Sequence, residues 1–124
     1  MMDKQQADLI QLRFGLTLKL ILDENKAKAL ENPKKEIIDS YGKLEASSGL
    51  RKATLIDFAS GKSNQSATTI GAILEALEMS LSEFAAYYDR ITEKDLIEYK
   101  KEMELARKER VKAKNASKKD KPRK

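Results

Sequence analysis

The stretch Ser47–Ser63, "SSGLRKATLIDFASGKS", decides how this chain folds. It has glycines at 49 and 61, eleven residues between them, and a lysine and serine after the second glycine. Three readings are open: a DNA-reading helix, a phosphate loop ending in "GKS", or a plain helix between two glycine stops. A phosphate loop needs G-x-x-x-x-G-K-[ST], because a glycine-rich backbone has to wrap the phosphates. The first glycine of that pattern falls at Ile56, and no strand pattern precedes it, which removes the phosphate loop.

The remaining spacing is that of two helices joined by a turn. Ser40 is placed to cap a helix running to Ser47, and Gly49 to close it. Leu44 then faces inward. On the next helix Leu55, Phe58 and Ala59 follow i, i+3, i+4 and form its inward face, and Gly61 ends it. Lys52, Ala53, Ile56, Asp57 and Ser60 are left pointing outward.

Working outward, the punctuation continues. Ser66 caps a helix with the stripe Ile70, Ile73, Leu74, Leu77. Ser80 and Glu83 form an S-x-x-E capping box ahead of Leu81, Phe84, Ala85 and Tyr88. Thr92 and Asp95 open a charged helix over 92–112, with Leu96, Tyr99, Met103 and Ala106 at helical spacing. Toward the N-terminus, Leu12, Phe14, Leu16, Leu18, Leu20 and Leu22 alternate with polar or small residues, a period of two. Leucine favours helices, and Ile10, Phe14, Leu18 and Ile21 also fit a helical stripe, so the expectation is a helix over 6–24 packed on two sides. Residues 25–36, with Pro33, read as a connector, open to extra helical turns at its start, that completes an N-terminal region over 1–37. Residues 113–124 are too polar to bury anything and are expected to be disordered.

Composition bounds the function. The 124 residues suit one domain with appendages and contain no Cys, His or Trp. Disulfides and thiolate chemistry are therefore absent, and so are the commonest general base and metal ligand. An enzyme, a cofactor and a metal are not expected. The N-terminus does not read as a signal peptide, and the apolar cluster "LTLKLIL" is too short to cross a membrane. A cytoplasmic protein is expected. Net charge is +5, but residues 100–124 carry 12 Lys/Arg against 4 Asp/Glu, whereas residues 1–99 carry 13 against 16. The basic signal lies in the tail, where it is either a solvated extension or a source of non-specific nucleic-acid affinity through counterion release.

The run "YGKLEASSGLRKATLIDFASGKSN", with "TTIGAILEALEMSLSEF" after it, resembles the lambda-repressor/Cro (Xre-like) helix-turn-helix family. The matching elements are Leu44, Gly49, Thr54, Leu55, Phe58, Gly61, Lys62, Ala76, Leu77 and Ser80, within a core spanning residues 38–91. Four positions depart from the family pattern. Glu45 stands where Ala is usual, Arg51 replaces a Ser/Thr N-cap, Ala59 replaces Glu, and Glu78 replaces Gly.

The resemblance implies an all-α, five-helix lambda-repressor-like DNA-binding domain with an extra charged C-terminal helix and a disordered basic tail. It also implies a bacterial transcriptional regulator, nucleoid-associated when bound, that uses helix 51–60 in the major groove of double-stranded DNA as a homodimer on two half-sites. Arg51, Lys52, Ala53, Ile56 and Asp57 would face base edges: Lys52 donating to guanine, Ala53 and Ile56 touching thymine methyls, Asp57 accepting from cytosine. Ser40, Tyr41, Thr54, Lys62, Ser63 and Asn64 would contact phosphates. Blander readings stand beside these. Asp57 also reads as a solvated residue that repels phosphates, Ile56 as a contact for a protein partner, and Tyr41 as packing. An antitoxin-like or scaffold interaction module is the competing function.

Overall fold

The computed structural model describes residues 2–33 and 36–119, the backbone alone for 116–119. All the regular structure among these residues is helical: α1 (Lys4–Glu31), α2 (Tyr41–Ser48), α3 (Lys52–Ala59), α4 (Ala67–Ala76), α5 (Leu81–Arg90) and α6 (Glu93–Lys119). The chain divides into two compact units, 1–92 and 93–124.

Local chemistry sets most boundaries in the first unit. The side chains of Ser40, Ser66 and Ser80 each accept a hydrogen bond from the backbone N–H three residues on, and Ser80 with Glu83 completes a reciprocal capping box. Gly49 and Gly61 stand at φ 78° and 70°, the left-handed region that only glycine enters without cost. Glu78 occupies the same region at φ 55°, after the C-terminus of α4. There a Cβ costs roughly 1–2 kcal/mol.

The first helix differs from the expected 6–24. It starts earlier because Asp3 and Gln6 form a capping box, and it continues through "KAKALE", a run of strong helix formers, until Asn32 caps it before Pro33. The period-two pattern of its sequence has a structural cause. α1 packs against both α3 and α5, so leucines on both flanks are needed. Two of the small or polar positions between them, Gly15 and Thr17, are also enclosed. Thr17 is fully buried, its hydroxyl bonded to the Arg13 carbonyl at 2.7 Å. Gly15 lies so close to the end of α3 that a Cβ there would sit 2.5 Å from the carbonyl oxygens of Phe58 and Ala59. A Cβ on Gly61 would meet the Leu12 backbone at 2.8 Å. Gly15 on α1 and Gly61, two residues beyond α3, let α1 and the end of α3 touch backbone to backbone.

The core follows from that contact. Leu18 and Leu22 of α1 meet Leu44 of α2, Leu55 and Phe58 of α3 and Ile73 of α4. A second cluster joins Ile21, Leu74 and Phe84, with Phe14 stacked on Phe84 at 5.9 Å and tilted on Tyr88 at 4.9 Å. Truncating a residue as enclosed as Leu55 to Ala costs about 2–5 kcal/mol. Arg13 adds a polar tie: its guanidinium donates to the carbonyls of Tyr88 and Ile91, at 3.3 and 2.7 Å, closing the C-terminal end of α5.

The second unit corrects the expected tail. α6 runs to Lys119, not 112, so residues 113–119 are helical where disorder was expected. Alanine, lysine and arginine are good helix formers, and the chain has no proline between Pro33 and Pro122, so nothing local stops the helix. Polarity excluded burial, which is a different matter from excluding a helix. The rest of the expected tail, 120–124, lies outside the described residues, as do connector positions 34 and 35.

Candidate nucleic-acid interface

Helices α2 and α3 are joined by only three residues, 49–51, and pack against each other. Leu55, Phe58 and Ala59 turn into the core, which fixes the rotation of α3 about its axis. The opposite side of α3 is open: Arg51, Lys52, Ala53, Ile56 and Asp57 are all exposed, with Ile56 44% accessible. These are the five residues expected to face bases, and they share one side of one element. Ser60 is half-buried, and its hydroxyl donates to the Asp57 carbonyl.

The head of α3 holds an unexpected arrangement. Arg51, at the N-cap, makes no capping hydrogen bond. The Glu45 carboxylate, reaching across from α2, accepts from the Lys52 backbone N–H at 2.6 Å instead. Two departures from the family pattern, Glu45 for Ala and Arg51 for Ser/Thr, thus form one compensating pair. A carboxylate there is also favoured by the helix dipole, and it occupies a position where an anionic ligand would otherwise bind. Helix-dipole anion binding at the tip of α3 is thereby used internally, leaving its outward side chains to make contacts. Sequence reasoning noted both residues but could not join them, because the cap comes from another helix, seven positions away.

The positions expected to contact phosphates are less uniform. Lys62 and Asn64 are exposed, and the Lys62 backbone is held by the Asp57 carbonyl at 3.0 Å. Thr54 is half-buried on α3. Ser40 spends its hydroxyl on the Lys43 N–H, and Ser63 accepts from the Gln65 side chain. Tyr41 packs against the core cluster, and burial, with the Asp23 carboxylate second, pushes its phenol above the usual tyrosine range. Its packing role is therefore in place whether or not it meets a phosphate.

Charge on this face is mixed. Between residues 39 and 62 the sequence carries Lys43, Arg51, Lys52 and Lys62 against Asp39, Glu45 and Asp57. Lys43 is paired with Asp39 at 2.9 Å, and that hydrogen bond holds the Asp39 carboxyl below its ordinary value. The face is close to neutral, so any contact with a polyanion depends on the placement of single cations more than on a broad positive field.

Among the described residues no group of three or more acidic, His or Cys side chains is arranged to hold a metal ion. A shallow pocket of about 80 Å³ beside Phe14, Phe58 and Ile70 is well below the size of ordinary small-molecule sites. Among the described residues no helix is long and apolar enough to cross a membrane.

No family model, no curated protein and no solved structure matches this chain. The fold and the exposed face of α3 define it as an all-helical protein with a two-helix, tight-turn unit on its surface.

Proposed function

We propose that this protein is a sequence-specific, double-stranded-DNA-binding regulator of the lambda-repressor-like class, acting as a homodimer with α3 in the major groove. One observation carries the reading: Leu55, Phe58 and Ala59 lock α3 onto the core, while Arg51, Lys52, Ala53, Ile56 and Asp57 stand together on its solvent side. A helix presented this way after a three-residue turn suits insertion between phosphate backbones. Lys52 is the main donor for guanine O6 and N7, and Ala53 and Ile56 suit thymine methyls. Lys62 and Asn64 supply backbone contacts that set register.

In vitro selection from random duplex DNA at two salt concentrations tests this reading. It predicts an enriched palindrome with half-site centres one helical turn apart. A pool that stays random at low salt contradicts it.

A second reading, an antitoxin-like or scaffold module with DNA secondary, is favoured by the exposed Ile56 and by the near-neutral charge of the face. A single stoichiometric protein partner, captured through α3 in the absence of any DNA selection, would favour it over the first.

A further inference from the structure

The charge of α6 is divided along its length. Residues 93–104 carry five carboxylates and three cations, whereas residues 105–119 carry seven cations and the single carboxylate Glu109. The distal half is helical throughout, so these charges are held on a rod and not on a chain that must be ordered at each encounter. That matters energetically, because a disordered basic tail loses conformational entropy when it binds and a helix has already lost it.

The register of the rod orders its charges. Arg107, Arg110 and Lys114 follow i, i+3, i+7 and share one side, whereas Lys108 and Lys112, at i, i+4, lie roughly 150° around the helix from them. Ala106, Glu109 and Ala113 occupy the remaining side between the two sets. All five cations are exposed, and among the described residues none is ion-paired to a carboxylate. Seven residues of helix span about 10 Å, over which a DNA duplex presents roughly six phosphate charges.

We propose that the distal half of α6 is a preformed cationic arm that lies along the phosphate backbone of duplex DNA and supplies sequence-independent affinity. The inference rests on the reading that duplex DNA is the partner of α3, and gives the arm the part of binding that the near-neutral α3 face does not provide. A lipid surface fits the arm poorly. Its exposed large apolar residues, Leu105 and Val111, are six positions apart and roughly 120° around the helix, so no continuous apolar face exists to enter a bilayer.

The test uses the full chain and a 20-base-pair duplex of random sequence, with binding followed by fluorescence anisotropy between 50 and 200 mM salt. The variant R107Q/R110Q/K114Q keeps good helix formers at each position, and circular dichroism checks that the helix remains. Its salt slope should fall by about 2–3, with tenfold or greater loss of affinity at 50 mM, equal for a selected and a random duplex. The control K94Q/K100Q/K101Q, in the proximal half, should leave the slope near wild type. An unchanged slope in the distal variant, or no wild-type binding to random duplex at 50 mM, overturns the proposal. So does tighter wild-type binding to anionic phosphatidylserine vesicles or to polyglutamate than to the duplex. If the slope falls but Lys52→Ala leaves sequence preference intact, the arm stands and the α3 reading fails.

Discussion

The carboxylate of Glu45, on α2, accepts a 2.6 Å hydrogen bond from the backbone N–H of Lys52, the first residue of α3. This bond joins the two helices of the turn unit at the point where the second one starts. It also replaces the local N-cap that Arg51 does not supply. Because both groups are exposed, its contribution is that of a surface cap, about 1 kcal/mol.

A double-mutant cycle measures that relationship. Glu45→Ala should lower the unfolding free energy by about 1 kcal/mol in urea titrations. Arg51→Ser, in an extended backbone suited to a cap, would accept from the N–H of Ala53 or Thr54, donors that the Glu45 bond does not use, and should add up to about 1 kcal/mol in either background. An unchanged unfolding free energy in Glu45→Ala would show that the Glu45 bond does not cap α3.

Two of the helical glycines, Gly15 and Gly71, should respond oppositely to alanine. In Gly15→Ala the new methyl would press on the Phe58 and Ala59 carbonyls, so α1 and α3 must separate, costing about 1–3 kcal/mol despite better helix propensity. Gly71, exposed on α4 with open space where a Cβ would be, should gain about 0.5–1 kcal/mol on the same change. Thermal melts of both variants check the contrast. Equal shifts would mean that the α1–α3 approach is looser than described.

Tyr41 links the site to alkaline stability. Its phenol is raised by burial first and the Asp23 carboxylate second, so the folded state keeps a proton that the unfolded chain releases near pH 10. Above that pH the unfolded state binds fewer protons, so stability falls as pH rises through the folded value. In Tyr41→Phe this component vanishes, and the urea midpoint should drop less between pH 9 and pH 11 than in wild type. Parallel losses would remove the packing role assigned to Tyr41.

Most of the turn chemistry was legible in the sequence. Ser40, Ser66 and Ser80 act through bonds to N–H groups three residues ahead, and Gly49 and Gly61 through their own dihedrals, so each signal is complete within a few residues. Leu44, Leu55 and Phe58 were legible for the same reason, since helical spacing alone turns them inward. Contacts between distant elements were not. Gly15 looks like an ordinary member of an alternating pattern until the end of α3 lies against it. Arg13 looks like a surface cation until the end of α5 supplies carbonyls for it. Glu45 looks like a misplaced charge in the family pattern until Lys52 is seen to donate to it. The length of α6 was not legible, because a segment too polar to be buried can still be helical. Of the site, the outward face of α3 was readable from its buried counterpart, whereas the bond that the Ser63 hydroxyl accepts from the Gln65 side chain depended on a side-chain placement that spacing does not reveal.

The central claim is that α3 reads base edges through Lys52. The most direct measurement is the affinity of the full chain for its selected duplex relative to a set of single-base variants and a random duplex, for wild type, Lys52→Ala and Lys62→Ala. Lys52→Ala should lose about 1–3 kcal/mol of discrimination at one base pair of each half-site, and Lys62→Ala should weaken every duplex alike. Discrimination that survives Lys52→Ala at every position would contradict the claim.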